Sequence, residues 1–242
     1  MPELRVIAVE GLPDIAEGAD LGGLIAARVA LEDRDVVVVS HKAVSKAEGR
    51  IVRLEDVEPS AAARDLAAGD DPRRLEVIFR EAARIVRTRP PLVIAETRHG
   101  FVCASAGVDA SNAPEPGTVV LLPVDPDDSA DRIRTRLHEL TGRSVGVVIS
   151  DSFGRPFRNG IVDVAIGAAG ITPLVDLRGQ VDPVGHKLHS TVVAVADEIA
   201  SAAELVMGKL AEVPVAVVRG LDVSGEGSAQ ELVMPPERDL FR

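Results

Sequence analysis

Residues 35–40 read DVVVVS, and the four consecutive valines, Val36 to Val39, decide the fold. A strand with one wet face alternates apolar and polar residues. An unbroken β-branched run has no polar face, so it belongs inside a sheet covered on both sides. Working outward, further strands are expected at residues 4–9, 145–149, 161–166 and 215–218, and shorter ones at 51–54, 92–95, 101–104 and 118–121. His99-Gly100 reads as a hairpin-like turn between two of these. Helical periodicity marks residues 20–31 with Asp20 as N-cap, 59–68, 71–87, 129–140 with Ser129 as N-cap, and a long helix within 190–209. In the helix over 71–87 the expected stripe is Leu75, Ile78, Phe79, Ala82, Ile85 and Val86. In the long helix it is Ile199, Ala202, Ala203, Val206 and Leu210. Strands separated mostly by helices, but also joined by short turns, predict an α/β (mixed α+β) fold with a mixed sheet and flanking helices. No low-complexity linker or repeat divides the chain, so residues 1–242 read as one compact, bilobed domain with loops converging on a cleft.

Composition narrows the function. With no Trp or Tyr and 5 Phe, the core is aliphatic and alanine-rich. A net charge of −11 leaves no basic face for nucleic acid or an anionic membrane, so an anionic substrate needs a local cationic pocket or a metal. The single cysteine, Cys103, excludes an intrachain disulfide and fits a reducing compartment. The N-terminus reads as a strand rather than a signal peptide. No apolar run approaches the ~20 residues that span a bilayer, and a cytoplasmic location is expected.

Two segments carry the chemistry. ASAGVDASN at 104–112 sets Asp109 beside Ser111 and Asn112; SDSFGRPFRNG at 150–160 sets Asp151 beside Ser152, with Arg155 and Arg158 three residues apart. Carboxylates, hydroxyls and amides are hard oxygen ligands for Mg²⁺ or Mn²⁺, and paired guanidiniums suit phosphate or carboxylate. Alone, an Asp-x-x-Asn is most often an Asx-turn. The second acidic segment, again following a buried strand, raises the functional reading, because strand ends collect catalytic loops in α/β proteins. Lys42 and Lys46, at i,i+4 after the valine run, share a helix face where like charges repel slightly, so the pair either faces an anion or is an exposed pair tolerated by water. There is neither a Walker A sequence nor a G-x-G-x-x-G. Cys103 reads as a buried structural thiol, His186 and His189 lack further zinc ligands, and Asp197-Glu198 reads as a solvated face. Asp222 and Glu226, in a Gly/Ser loop, are weaker candidates for a pocket wall.

These segments resemble the coenzyme F420-0:L-glutamate ligase family. The blocks are GLP at 11–13, VSKAEGR at 44–50, AGVDASN at 106–112, SDSFGR and RNG within 150–160, AIG at 165–167, VAVADEIASAAELVMGK at 193–209 and PVAVVRGL at 214–221. The resemblance implies a two-lobed homodimer. It also implies GTP-dependent joining of L-glutamate to the carboxylate of the deazaflavin coenzyme F420-0 through an acyl phosphate. Two divalent ions, Mg²⁺ or Mn²⁺, are implied, with K⁺ as a candidate monovalent ion. Carried over, Asp109 and Asp151 would hold one ion and Ser152 would touch a second. Gly11, Leu12, Pro13, Asp14, His41, Lys42, Lys46 and Asn112 would line the GTP site, with residues 207–213 closing over it. Arg155 and Arg158 would hold phosphate or carboxylate oxygens. Ser152 stands where threonine is frequent, and His41-Lys42 replaces smaller polar residues. Without the resemblance, the same loops would also suit a two-metal phosphoesterase or a non-catalytic nucleotide-binding subunit.

Overall fold

The computed structural model describes residues 3–240. Strand β1 (Arg5–Ala8) leads to α1 (Leu21–Ala26), β2 (Val36–Ser40) and α2 (His41–Ala47). Next come β3 (Ile51–Arg53), α3 (Ala61–Leu66), α4 (Pro72–Glu81), β4 (Ala82–Arg89), β5 (Leu92–Thr97), β6 (Val102–Ala104) and β7 (Thr118–Val120). Then follow α5 (Pro126–Thr141), β8 (Gly146–Gly154), β9 (Ile161–Ala169), the short pair β10 (Val175–Asp176) and β11 (Val192–Val193), α6 (Val195–Met207) and β12 (Val215–Arg219).

The valine run lies at the centre of a five-stranded sheet ordered β1-β12-β2-β8-β9. Strands β2 and β8 are parallel and the other pairings antiparallel, so the sheet is mixed. The pleat divides the run as its sequence requires. Val37 and Val39 join Val147, Ile149, Val215 and Val217 under α1 and α5, against Leu21, Ile25, Ile133 and Leu137. Val36 and Val38 join Val148, Ala216 and Val218 under α6, against Ala196, Ile199, Ala200 and Ala203. None of the four valines is more than 1% exposed. Each such side chain contributes about 1.5–3 kcal/mol by burial, an upper figure against a fully extended chain. A third apolar cluster joins α3 and α4 to β5 and β7 through Ala63, Leu75, Ile78, Val93 and Val119.

Several expected boundaries move. The helix expected over 71–87 stops at Glu81, and β4 begins at once and pairs antiparallel with β5. Ile85 and Val86 therefore leave the helical stripe and are each 39% exposed. Helix α5 starts three residues before Ser129, with Asp125 as N-cap and Pro126 in the first turn, where its missing N–H costs nothing. Ser129 is instead buried inside the helix and donates to Glu48. Helix α6 ends at Met207, and Leu210 is left almost fully exposed. Asp197 is not solvated: its carboxylate accepts the Ala165 N–H at 2.9 Å, tying α6 to β9.

Candidate active site

Because β2 and β8 run parallel, with Ser40 opposite Ser150, their carboxyl ends open side by side, where α/β sheets commonly place ligands. A cleft of about 820 Å³ lies there. Of the residues predicted for nucleotide binding, Gly11, Leu12, Pro13, Asp14, His41, Lys42, Lys46 and Asn112 all line it. So do Asp109, Asp151 and Ser152, and residues 206–214 complete the wall. Asp109 and Asp151, more than forty residues apart in the chain, thus line one cavity.

Each segment reaches the cleft by a backbone device. Ser105, Ala106 and Gly107 adopt three successive left-handed conformations, with φ of 56°, 51° and 73°. For the two non-glycine residues that conformation costs about 1–2 kcal/mol each. The turn delivers Asp109 to a bridge with Val120. The second segment is not the loop expected. Strand β8 runs on through Asp151 and Ser152 to Gly154, and only residues 155–160 form the hairpin tip before β9. A register shift between Ile149 and Ser150 marks a β-bulge just before Asp151, and bulges re-aim side chains at strand ends.

Arg155 and Arg158 do not line this cleft. The Arg155 guanidinium donates to the Asn159 carbonyl at 2.6 Å, so it holds the hairpin tip together. The backbone N–H of Arg158 donates to the Arg155 carbonyl. Asp222 pairs with Arg34 and Glu226 with Arg134, and neither lines the cleft.

Electrostatics inside the cleft are mixed. Lys42 Nζ lies 2.6 Å from Asp109 Oδ2 and donates to Ser111 Oγ at 2.6 Å. Asp109 also accepts the Ser111 N–H at 2.7 Å and the Ser111 hydroxyl at 2.8 Å, so the Asx-turn and the acidic site are the same structure. Burial works to raise the Asp109 pKa. The hydrogen bonds from Lys42 and Ser111, with the Lys42 charge, more than offset it, and Asp109 stays ionised below the usual carboxylate range. Lys46 makes no ion pair among the described residues, which leaves it open to an anion. His41 is 1% exposed. Its Nε2 lies 3.2 Å from Asp151 Oδ1 but is misaligned for a hydrogen bond, so neither ring nitrogen has a hydrogen-bond partner.

Asp163, unremarked in the sequence, is also in this wall. It is 6% exposed and accepts the Ser150 hydroxyl at 2.8 Å and the Ser152 hydroxyl at 2.7 Å. The signal was present: a lone acid in the otherwise apolar run IVDVAI has no reason to be there unless the strand end serves a polar site. Among the described residues, no three His, Cys, Asp or Glu side chains converge closely enough to cage an ion. Mg²⁺-type ions do not need such a cage, because one or two carboxylates commonly share them with substrate phosphates and water. The donor set of two carboxylates and a hydroxyl fits that use.

A family model described as F420-0:Gamma-glutamyl ligase matches residues 11–220. The chain is 49% identical to the coenzyme F420:L-glutamate ligase of Methanopyrus kandleri, covering 100% of this chain and 99% of that one. It is 44% identical to the ligase of the same name from Methanothermobacter thermautotrophicus, with 99% of each chain covered. The Archaeoglobus fulgidus ligase of that name is 46% identical over 99% of this chain and 96% of its own. With the family model matching residues 11–220 and full-length relatives 44–49% identical, the chain belongs to the F420-0:gamma-glutamyl ligase family.

Proposed function

We propose that this chain joins L-glutamate to the carboxylate of coenzyme F420-0 at the expense of GTP, through an acyl phosphate. The observation that carries the reading is one cleft lined by Asp109, Asp151 and Ser152 together with Lys42 and Lys46. Hard oxygen donors and ammonium groups around one cavity suit a triphosphate with its cation better than a neutral substrate.

The substrate carboxylate attacks the γ-phosphorus, the bond to the β-phosphate oxygen breaks, and GDP leaves. The glutamate amine then attacks the acyl carbon, phosphate departs, and the amine loses its proton. Asp109, Asp151 and Ser152 would hold divalent cation, which when bound spreads the negative charge of the transferring phosphoryl group. Lys42 and Lys46 hold phosphate oxygens, each strong charge-assisted contact worth about 1.5–3 kcal/mol. His41, buried in the cleft wall, sets its Nε2 3.2 Å from Asp151 Oδ1 and so bears on that carboxylate rather than on the substrate. Residues 206–214 wall the cavity and limit water that would hydrolyse the acyl phosphate.

The test is one incubation with GTP, Mn²⁺, L-glutamate and coenzyme F420-0, read by mass spectrometry and phosphate release. The expected result is an added glutamyl unit, with GDP and phosphate formed only when both acceptor and amine are present. Phosphate release independent of glutamate would replace the ligase with a nucleotide hydrolase. GTP binding without turnover would leave a nucleotide-binding subunit.

A further inference from the structure

We infer that Asp163 is a positioning residue that fixes the Ser152 hydroxyl as an acceptor facing the cleft; this rests on the cation reading proposed above. Strands β8 and β9 place Ser152 directly opposite Asp163. A serine hydroxyl has one proton and two lone pairs. Ser152 gives its proton to Asp163 Oδ1 at 2.7 Å, and Ser150 gives its own to Oδ2 at 2.8 Å. With the proton committed inward, Ser152 Oγ has only lone pairs left for the cavity it lines. Such an oxygen suits a cation and cannot donate to a phosphate oxygen.

The setting of Asp163 supports a task beyond packing. It is 6% exposed, and among the described residues no Lys or Arg lies within ion-pair reach of it. A buried carboxylate held by two neutral hydroxyls is costly unless a cation stands nearby. Residues that orient metal ligands in this way commonly change metal affinity 10–100-fold when altered.

Mn²⁺ binding is measured from the free-ion EPR signal, titrating the full chain with equimolar GDP and using GDP with Mn²⁺ alone as the blank. Asp163→Ala and Ser152→Ala are each expected to weaken Mn²⁺ binding about 10–100-fold. In the Ser152→Ala background, Asp163→Ala is expected to cost under about 3-fold, because the group it acts through is gone. Ser150→Ala should stay within about 3-fold of wild type. Should Asp163→Ala not fold, Asp163→Val, which suits a strand and offers the Ser152 hydroxyl no acceptor, is carried through the same cycle with the same expectation. An equal loss with and without Ser152 would mean that Asp163 acts by its charge or by holding the strands, and would overturn the inference. Wild-type Mn²⁺ binding with no loss in the Asp163 variants would also overturn it while leaving the cation reading intact. A wild-type chain that takes up no Mn²⁺ would overturn both.

Discussion

Lys42 Nζ stands 2.6 Å from Asp109 Oδ2, so the side chain read as a phosphate-binding cation grips the one read as a cation-binding carboxylate. The pairing lowers the Asp109 pKa against the opposing effect of burial. Lys42→Met removes that help and leaves burial unopposed except by Ser111. Since the ionised form is the useful one, the acid limb of kcat/KM should move to higher pH. At neutral pH, loss of a charge-assisted contact should lower kcat/KM by roughly 10–100-fold. A pH–rate profile of the variant with an unmoved acid limb would remove Asp109 from the reaction.

Asp197 runs in the opposite direction. Burial raises its pKa above 3.8, and the hydrogen bond from the Ala165 N–H only partly counters this. The folded state therefore holds the proton more tightly than the unfolded one. The stability this group contributes is present below the unfolded pKa and is lost as pH rises through the folded value. At pH 7 the charge costs stability, partly compensated by less than about 1 kcal/mol from the N-terminal turn of α6. Asp197→Asn keeps an acceptor for Ala165 and loses the charge. Its Tm at pH 7 should be unchanged or up to about 3 °C higher, with the difference shrinking toward pH 4. A clear fall in Tm at pH 7 would contradict the assignment.

These two aspartates show what was legible in the sequence. The central strands could be read because DVVVVS, VGVVI and VAVV have no polar face to offer water, and burial alone fixes them. Asp151 could be placed because it continues such a strand, whereas Asp109 follows β6, whose Val102 is 38% exposed, and reaches the same cleft from another sheet. The end of α4 could not be read: Ile85 and Val86 continue a helical stripe, but pairing with β5 and the Arg84–Glu96 ion pair outweigh that periodicity. Asp197 looked solvated because nothing in its own helix says that Ala165 offers an N–H from another strand. That Arg155 and Arg158 stand on a hairpin tip outside the lining of this cleft is not legible either, because a Gly/Pro segment does not disclose that β8 runs on to Gly154.

Cys103 gives a spectroscopically silent protein a chemical reporter. Burial pushes its thiol up to about 12, with a smaller push from the Asp151 charge and a partial offset from the Gly107 N–H. At pH 8 the thiolate would be roughly one part in ten thousand, so labelling by a disulfide reagent should be slow in the native state and complete on unfolding in guanidinium. Asp151→Asn should speed native labelling at a fixed pH, because one opposing charge is gone. Rapid labelling of the wild type under native conditions would show that the β6 edge of the site opens freely.

Gly167, in the AIG block of β9, tests why that glycine is there. Its φ lies outside the left-handed range, so conformational freedom is not the reason. Space is: a Cβ at this position would meet the Pro126 carbonyl oxygen at 2.4 Å and its carbonyl carbon at 2.6 Å. The first turn of α5 cannot back away easily. Asp127 Oδ1 accepts the N–H groups of Ala168 at 2.8 Å and Ala229 at 3.0 Å, and Asp127 Oδ2 accepts the Ser228 hydroxyl at 2.6 Å. Gly167→Ala must therefore push backbone against backbone at a pinned contact, at a cost of about 1–3 kcal/mol. For a chain of this size that is a Tm lowered by about 2–12 °C. Gly154→Ala is the matched control, because a Cβ there meets nothing within 4 Å and should shift stability by less than about 0.5 kcal/mol. Thermal melts followed by far-UV circular dichroism suit a protein without Trp or Tyr. Equal melting of the two variants would mean that α5 is held far more loosely on β9 than its hydrogen bonds require.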